Sequence, residues 1–452
     1  MKKLLDQAAG YASDYLDDIQ TRAVGVDPDA SAAVSRFDEP MPETRCADEE
    51  VLRLLHEIGS PATMAMSGPR FFGFVIGGSL PATTAANWLA TAWDQNTSMF
   101  HITPATAKLE EVAQGWLIDL LDLPKSTASA FVTGTTVANF TSLAAARHRV
   151  LKNAGWDVEA DGLIGGPQIT VITGEEAHPT LYKSLGMLGL GRNRVVRVPV
   201  DTQGRIRADA LPRISGPTII CAQAGNIHSG AFDPFDAICD HAGESGAWVH
   251  VDGAFGLLAG AVPSLYECTT GMNRADSWAT DAHKLLNVPY DSGIALVNDS
   301  DALHGAMAIT AEYLPYDRNL RNPGEFTPEL SRRARGVEVW AALKSLGRQG
   351  VVDMVERMCR HARRFAEGLS ATGYNVLNEV DFNQVAVSFG DSATTARVIR
   401  AIQEDGTCWC GESAWRGHDV MRISVCSWAT TEEDVELSLE AMLRCAAEIT
   451  GK

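Results

Sequence analysis

Short apolar runs of strand character alternate with longer helical stretches between about residues 130 and 297, and this alternation restricts the possible folds more than any other feature. The clearest runs span residues 130–132, 169–172, 194–198, 218–221, 247–251 and 293–297. Strands that alternate with helices predict a mainly parallel sheet wrapped by helices. The runs are apolar almost throughout, which is typical of strands buried on both faces. We therefore expect an α/β fold.

The flanking parts of the chain differ from this alternating region. The 452 residues are enough for two or three domains of roughly 100–200 residues each. Residues 1–80 have a helical pattern, and residues 81–325 hold a long helical stretch followed by the strand runs. Residues 326–452 mix two long helices (337–346 and 351–369) with short strands. We expect an N-terminal helical segment, a large α/β domain and a smaller C-terminal α+β domain.

Composition excludes several classes of function. The net charge of −19 argues against a nucleic-acid or anionic-membrane partner, because binding phosphate groups requires clustered Lys and Arg. No apolar run approaches the roughly 20 residues of a membrane-spanning helix, and the start of the chain turns polar too soon for a signal peptide. The nine cysteines lack a disulfide or zinc spacing. We expect reduced thiols in a cytoplasmic protein without a metal site.

Two strand-like runs end in groups that can do chemistry, Asp252 and Lys284. In an open α/β sheet, ligands bind at strand ends. A carboxylate and an amine presented there suit pyridoxal 5'-phosphate, which needs a lysine for its Schiff base and an acid to keep its ring nitrogen protonated. The alternative for Asp252 is a strand-end residue that caps a helix. We interpret the two residues as the cofactor-binding pair.

Two further stretches fit the same ligand. Gly134, Thr135 and Thr136 follow a strand and open a helix, where backbone N–H groups and hydroxyls at the positive helix end favour a phosphate. The alternative is that a threonine only caps the helix. His178 lies between a strand and a helix, where its flat ring could stack on a cofactor. The alternative is a structural histidine at the start of the helix.

The order of these motifs resembles the group II pyridoxal-phosphate decarboxylases, which include the aromatic amino-acid, histidine and glutamate decarboxylases. The motifs are Thr-Gly-Thr-Thr-x-Ala-Asn139, then His178, then Asp252-Gly-Ala254, then Asp-Ala-His-Lys284, within a similarity from about residue 69 to residue 426. The resemblance implies a fold-type-I, aspartate-aminotransferase-like architecture. That fold has a mainly parallel seven-stranded sheet flanked by helices and a smaller C-terminal α+β domain.

The resemblance also implies roles for individual residues near the cofactor. Thr135, Thr136 and His283 would contact the phosphate. His178 would stack on the ring, and Ala254 would pack against its face. The acid at position 252 would pair with the ring nitrogen, and the lysine at position 284 would form the Schiff base.

Residues around the substrate follow from the resemblance less directly. Tyr313 falls where the family's mobile loop begins, and a tyrosine of that loop protonates Cα after carbon dioxide leaves; the alternative is an ordinary loop aromatic. Asn226 stands where relatives carry a threonine near the phenolic oxygen of the cofactor. Family members are dimers with interlocked N-terminal helices and shared active sites, which would bring Phe74, Val75 and Ser98 close to the substrate.

The reaction and the substrate depend on a few remaining residues. Arg422 stands where transaminases hold the substrate carboxylate, but relatives that decarboxylate also carry an arginine there, and an internal ion pair is the alternative. His228 could bind a polar substrate group or only satisfy a buried backbone group. Because no basic pair for a distal carboxylate is evident, we expect decarboxylation of an L-amino acid with an aromatic or other neutral side chain.

Two other functions stay open from the sequence. The first is another pyridoxal-phosphate reaction of an amino acid, such as transamination, racemisation, aldol-type cleavage or oxidative deamination. The second is a catalytically silent homologue that serves as a binding protein. Release of carbon dioxide separates decarboxylation from both.

Overall fold

The computed structural model describes residues 1–309 and 320–452. These residues form two compact units. The first contains residues 1–78, 363–377 and 386–452, and the second contains residues 79–362 and 378–385. The division into three segments with boundaries after residues 80 and 325 stays a prediction.

The second unit is built around a seven-stranded sheet whose order is β1-β7-β6-β5-β4-β2-β3. Strands β2 to β6 pair in parallel, whereas β7 is antiparallel to both β1 and β6. The predicted fold class, a mainly parallel seven-stranded sheet flanked by helices, is confirmed. Its strands are β1 (Ala128–Val132), β2 (Thr170–Gly174), β3 (Val196–Val198), β4 (Thr218–Gln223), β5 (Trp248–Asp252), β6 (Ser277–Asp281) and β7 (Gly293–Val297).

A second, four-stranded sheet has the order β10-β11-β9-β8. Two of its pairs, β8 with β9 and β10 with β11, are antiparallel. This sheet accounts for the strand patterns near the C-terminus of the sequence. Its strands are β8 (Asn375–Val376), β9 (Gln384–Ser388), β10 (Gly411–Trp415) and β11 (His418–Ser424).

Helices fill the rest of the regular structure. They are α1 (Lys2–Asp18), α2 (Pro28–Ala33), α3 (Asp48–Leu54), α4 (Pro81–Trp93), α5 (Pro104–Leu120), α6 (Thr135–Asn153), α7 (Val158–Asp161), α8 (Pro179–Met187), α9 (Phe235–Gly243), α10 (Tyr266–Thr269), α11 (Ser300–Met307), α12 (Gly336–Ala371), α13 (Ser392–Asp405) and α14 (Glu432–Thr450).

Two helix boundaries have clear local causes. The long helical stretch predicted near the start of residues 81–325 is two helices. Helix α4 ends at Trp93 and is followed by the left-handed Asp94 (φ 48°), and α5 begins with a proline at its first position. Helix α12 is interrupted at Gly347 (φ 61°, ψ 178°), where the backbone leaves helical geometry. This interruption separates the two helices predicted for residues 337–346 and 351–369.

Most of the sheet in the second unit is buried, because apolar side chains predominate in its central strands. Every residue of β1, β5, β6 and β7 is buried. Helix α6 adds a run of small and aliphatic residues to the same core, including Leu143 and Ala144–Ala146. Fully burying one leucine side chain stabilises a fold by about 1.5–3 kcal/mol. Packing therefore fixes α6 against the sheet and fixes the position of its first turn.

Within residues 1–309 and 320–452, no helix has the length and apolar character needed to cross a membrane. The same residues contain no cluster of three or more His, Cys, Asp and Glu side chains that could hold a metal ion.

Candidate active site

Several strands of the large sheet end at one edge. Strands β4, β5 and β6 are parallel, so their carboxyl ends meet there. Strand β1 ends at the same edge, because β1 and β6 are both antiparallel to the β7 between them. Gly293, the first residue of β7, lies opposite Val132 on one side and Asp281 on the other. The turn after β1 is thereby brought beside the end of β6.

A pocket of about 190 Å³ opens at this edge. Residues from five separate parts of the sequence line it, and all belong to the second unit. The structure therefore brings most of the predicted cofactor-binding residues together. Those that line the pocket are Thr135, Thr136, His178, Asp252, Ala254, His283 and Lys284.

Lys284 presents its amine to the pocket from the segment that follows β6. Its Nζ lies 3.0 Å from Oδ2 of Asp281, and its side chain is 19% exposed. The amine is thus held at the wall of the pocket and stays accessible to a ligand. A lysine in this position can act as a nucleophile toward an aldehyde.

Asp252 ends β5 and is 5% exposed. Its Oδ2 accepts a hydrogen bond from Nδ2 of Asn139 (3.0 Å), and its Oδ1 accepts one from the backbone N–H of Ala254 (3.3 Å). Burial raises the pKa of Asp252, while the nearby His178 and the hydrogen bond from Asn139 act in the opposite direction. A cationic ligand group against this carboxylate would offset the cost of its burial.

The turn between β1 and α6 has the features of an anion-binding site. The backbone N–H of Thr135 is at the N-terminus of α6 and donates to Oδ1 of Asp281 at 2.6 Å. The hydroxyl of Thr135 is buried and has no hydrogen-bond partner among the described residues. The Nε2 atom of His283 lies 3.4 Å from the same Asp281 oxygen. A carboxylate therefore lies where helix and side-chain donors converge.

The side chain of His283 can donate a hydrogen bond at this anion-binding site. Its Nδ1 accepts a hydrogen bond from the backbone N–H of Ser292 (3.1 Å), so the ring proton of the neutral form is on Nε2. Burial lowers the pKa of His283, which favours that neutral form. The ring also stacks on Tyr290 with a centroid distance of 4.2 Å.

His178 caps a helix and also lines the pocket. It is the N-cap of α8, where its Nδ1 accepts from the backbone N–H of Thr180 at 3.3 Å and lies 2.7 Å from the Thr180 hydroxyl. It also lines the pocket. The cap fixes the orientation of the imidazole, so the structural alternative and a role beside a ligand are compatible.

These groups fit pyridoxal 5'-phosphate chemically. The unpaired Thr135 hydroxyl and the His283 N–H are donors suited to a phosphate. The Lys284 amine suits the aldehyde, and the buried carboxyl of Asp252 suits a protonated ring nitrogen. The donor set matches all three polar ends of the cofactor.

Two predicted residues lie just outside the pocket lining. The side chain of Asn226 holds a tight turn: its Nδ2 donates to Oε2 of Glu176 (3.1 Å), and its Oδ1 accepts from the backbone N–H of His228 (2.9 Å). Its neighbours Gly225 and Ile227 line the pocket instead. Contacts of Asn226 with the cofactor and of His228 with the substrate stay predictions.

The predicted substrate residues belong to different units. Ser98, in the second unit, is buried and its hydroxyl has no hydrogen-bond partner among the described residues. Phe74, Val75 and Arg422 belong to the first unit. Tyr313 lies outside the described residues.

Within the first unit, these three residues differ in environment. The Phe74 ring is 63% exposed and stacks on Trp409 at 5.5 Å, whereas Val75 has no exposed surface. Burial lowers the pKa of Arg422, and no described carboxylate opposes that effect. The alternative of an internal ion pair for Arg422 therefore has no partner among the residues that the structure describes.

Two site residues were not singled out from the sequence, although the motifs contained them. Asp281 ends the strand that precedes Lys284 and contacts both the lysine and the α6 N-terminus. Asn139 lies one helical turn into α6 and donates to Asp252. The signal for Asn139 was its spacing of four residues from Thr135, which places both side chains on one face of the helix.

The geometry of this anion-binding site depends on close backbone packing between β7 and the β1–α6 turn. The variant Gly293→Ala tests this dependence. A Cβ on Gly293 would lie 2.4 Å from Cα of Gly134, so β7 and the β1–α6 turn must separate. We expect the free energy of unfolding to fall by about 1–3 kcal/mol and the affinity for pyridoxal phosphate to fall with it. Urea unfolding and cofactor titration measure both.

A matched control is Gly115→Ala in the middle of α5, where an added Cβ meets no atom within 4 Å. That variant should be stabilised by about 0.5–1 kcal/mol. Unchanged stability and cofactor affinity in Gly293→Ala would contradict the close-packing argument.

Comparison with known families agrees with this geometry. A family model described as the pyridoxal-dependent decarboxylase conserved domain matches residues 33–390. An aromatic-L-amino-acid decarboxylase of Bacillus atrophaeus is 28% identical over 359 residues, which cover 77% of this chain and 72% of that protein. An L-2,4-diaminobutyrate decarboxylase of Rhizobium meliloti (strain 1021) is 28% identical over 437 residues, or 91% of this chain and 84% of that protein.

Relatives with different substrates are similar to a comparable degree. An acidic amino acid decarboxylase of Bos taurus is 28% identical over 332 residues, which cover 70% of this chain and 63% of that protein. Among solved structures, Oryza sativa TDC with PLP and tryptamine has a TM-score of 0.90 at 22% identity and covers 99% of this chain and 98% of its own. At this identity the structural likeness shows the fold alone.

Proposed function

Because this chain belongs to the pyridoxal-dependent decarboxylase family, we propose that it decarboxylates an L-amino acid with an aromatic or other neutral side chain. That the chain is a pyridoxal-phosphate-dependent amino-acid decarboxylase follows from the family and its curated relatives. The choice of substrate is our proposal. The observation that carries the proposal is the meeting of Asp252, His178 and Lys284 in one pocket.

Each residue of the pocket has a distinct task in this proposal. When bound, pyridoxal phosphate supplies an electron sink for the pair of electrons left at Cα as carbon dioxide departs. Lys284 would provide the amine that holds the cofactor aldehyde. Asp252 would favour a proton on the ring nitrogen, and the neutral His283 would donate from Nε2 to the phosphate. His178, fixed by its cap on α8, provides a flat surface for the ring.

The charge of the pocket supports a substrate without a distal carboxylate. Among the described residues that line the pocket, Lys284 is the one lysine, and its amine lies 3.0 Å from the carboxylate of Asp281. No arginine is among the described residues that line this pocket. The described lining of this pocket therefore offers no arginine for the second carboxylate of an acidic substrate. Two curated relatives, from Bacillus atrophaeus and Oryza sativa, are decarboxylases of aromatic substrates by name.

We further propose a homodimer with shared active sites. Helix α1 has no buried residue, although Leu5 and Leu16 on it are apolar and 57% and 42% exposed. An amphipathic helix with an uncovered apolar face indicates an interaction surface. In such a dimer, Phe74, Val75 and Ser98 would reach the substrate. Light scattering that gives the mass of one chain would contradict this assembly.

Within the same proposal, Tyr313 donates the proton to Cα, and Arg422 and His228 contact the substrate. These three roles rest on the position of each residue in the family-like motifs.

A panel of L-amino acids, assayed for carbon dioxide release with the cofactor-loaded protein, tests the proposed function. We expect release from tryptophan, tyrosine, phenylalanine or another neutral amino acid, and little from glutamate or aspartate. Consumption of substrate without carbon dioxide would contradict decarboxylation. Preference for an acidic amino acid would contradict the substrate class alone.

A further inference from the structure

A row of polar groups lies behind Asp252 along β5. Successive side chains of a strand point to opposite faces, so Trp248, His250 and Asp252 share one face. All three are buried, with exposed fractions of 4%, 0% and 5%. Their intervening residues, Val249 and Val251, point to the other face. A tryptophan, a histidine and a carboxylate in one buried row each need a hydrogen-bond partner.

The partners come from β6 and α6 and complete a continuous chain. Nε1 of Trp248 donates to Oγ of Ser277 at 2.8 Å, and the same oxygen lies 2.9 Å from Nδ1 of His250. Nε2 of His250 lies 2.9 Å from Oδ1 of Asn139. Nδ2 of Asn139 lies 3.0 Å from Oδ2 of Asp252.

The chemistry of the two ends fixes the direction of each hydrogen bond. The indole N–H of Trp248 can only donate, so Ser277 accepts from it and has its own hydrogen available for His250. At the other end, Asn139 places its amide nitrogen toward the Asp252 carboxylate and therefore its carbonyl oxygen toward His250. That oxygen only accepts, so Nε2 of His250 carries a proton and Nδ1 is the acceptor.

His250 can fill this role only as a neutral ring. A cationic imidazole would carry a proton on Nδ1 as well and lose the hydrogen bond from Ser277. Burial lowers the pKa of His250 to about 3, because the charged form of the ring would be removed from solvent there. The neutral Nε2–H form therefore persists at neutral pH.

We propose that Trp248, Ser277, His250 and Asn139 form a one-way chain of hydrogen-bond donors that ends on Asp252 and holds its carboxylate ionised toward the cofactor ring nitrogen. The four are positioning residues, since they act on the cofactor through Asp252. The inference rests on the proposed contact between Asp252 and the ring. Donors aligned in one direction polarise one another, which strengthens the final hydrogen bond to Asp252. The chain thus opposes the effect of burial on the carboxyl.

The first test examines the chain of hydrogen bonds without measuring catalysis. Histidine labelled with ¹⁵N in the full-length protein reports the tautomer of each ring, and His250→Gln identifies the signal of His250. We expect one imidazole in the neutral Nε2–H form whose signal stays constant between pH 5 and pH 8. A cationic ring or an Nδ1–H tautomer at position 250 would overturn the proposal, whatever the substrate of the enzyme is.

The second test measures preference for a protonatable ring. The quantity is the ratio of affinities for pyridoxal phosphate and for its 1-deaza analogue, in which a C–H replaces the ring nitrogen. Asn139→Leu removes the final donor with little change in volume, and we expect the ratio to fall about tenfold. We expect a fall of about twofold to threefold for Ser277→Ala, two bonds further away.

Conservative and control variants make the second test specific. His250→Gln can still donate to Asn139, so it should retain more of the ratio than His250→Leu. Val251→Ala, on the same strand but the opposite face, should lower stability without changing the ratio.

Different results would refute the contact between Asp252 and the cofactor ring and the chain of hydrogen-bond donors. A wild-type protein with no preference between the two ligands would refute the contact between Asp252 and the ring. A wild-type preference that survives in Asn139→Leu, His250→Leu and Ser277→Ala would refute the donor chain alone.

Discussion

We expect Lys284→Ala to lower decarboxylation at least about a thousandfold and to abolish the visible absorption band of the cofactor-loaded protein. The physical reason is that the amine beside Asp281 is the nucleophile available to the cofactor aldehyde in the described pocket. The absorption spectrum and carbon dioxide release measure the two effects. Activity within tenfold of wild type would contradict this role.

Two further variants test whether the loss of activity comes from the missing nucleophile at position 284. Lys284→Arg keeps a cation that can pair with Asp281 but lacks a nucleophilic amine, so it should be as inactive as the alanine variant. Lys125→Ala replaces a lysine whose side chain is 82% exposed and should remain fully active. A small primary amine added to Lys284→Ala should restore part of the activity.

Borohydride reduction of the loaded wild-type protein checks the same assignment by a direct chemical route. Mass spectrometry of the digest should find the cofactor on the peptide that contains Lys284. A label on a different lysine would overturn the assignment of the pocket.

Asp252→Asn should lower the turnover number by about a hundredfold to a thousandfold while keeping the protein folded. The amide has nearly the shape of the carboxylate and can still accept from Asn139, but it carries no charge to hold a proton on the ring nitrogen. Steady-state kinetics separate this loss from a change in KM. A drop confined to KM would mean that Asp252 only contributes to binding.

Asp276→Asn provides the matched control for that experiment. Asp276 precedes β6, at the end of the sheet opposite the pocket, and accepts a hydrogen bond from the backbone N–H of Val249 at 2.7 Å. Burial raises the pKa of Asp276 to about 6, and burial likewise raises the pKa of Asp252. Its replacement should lower stability by about 1–3 kcal/mol and leave the turnover number of the folded enzyme unchanged.

Much of the fold followed from patterns within single elements. The six apolar runs became six strands of the large sheet, and the run before Lys284 became β6. Burial on both faces demands continuous apolar sequence, so such strands are visible without tertiary information. The break between α4 and α5 was not expected, because a left-handed Asp94 leaves little trace in the hydrophobic pattern.

The residues of the site could be predicted only in part from local sequence patterns. Asp252 ends a strand, and His178 and Lys284 come within a few residues of a strand end, so their place at the edge could be predicted from local sequence. Asp281 and Asn139 could not be assigned, since their contacts join residues 146 and 113 positions apart in the chain. Sequence spacing shows which face of an element a side chain occupies, but not which residue lies opposite.

The sequence by itself determined the kind of protein: a parallel sheet with an amine, a carboxyl group and an imidazole at its strand ends, in the order typical of one decarboxylase family. Only the tertiary structure decided how those groups are tuned. The antiparallel β7 brings the β1–α6 turn against Asp281, and the register of β5 and β6 sets His250 beside Ser277. Both depend on sheet order and register, which arise from packing summed over many strands rather than from any local pattern.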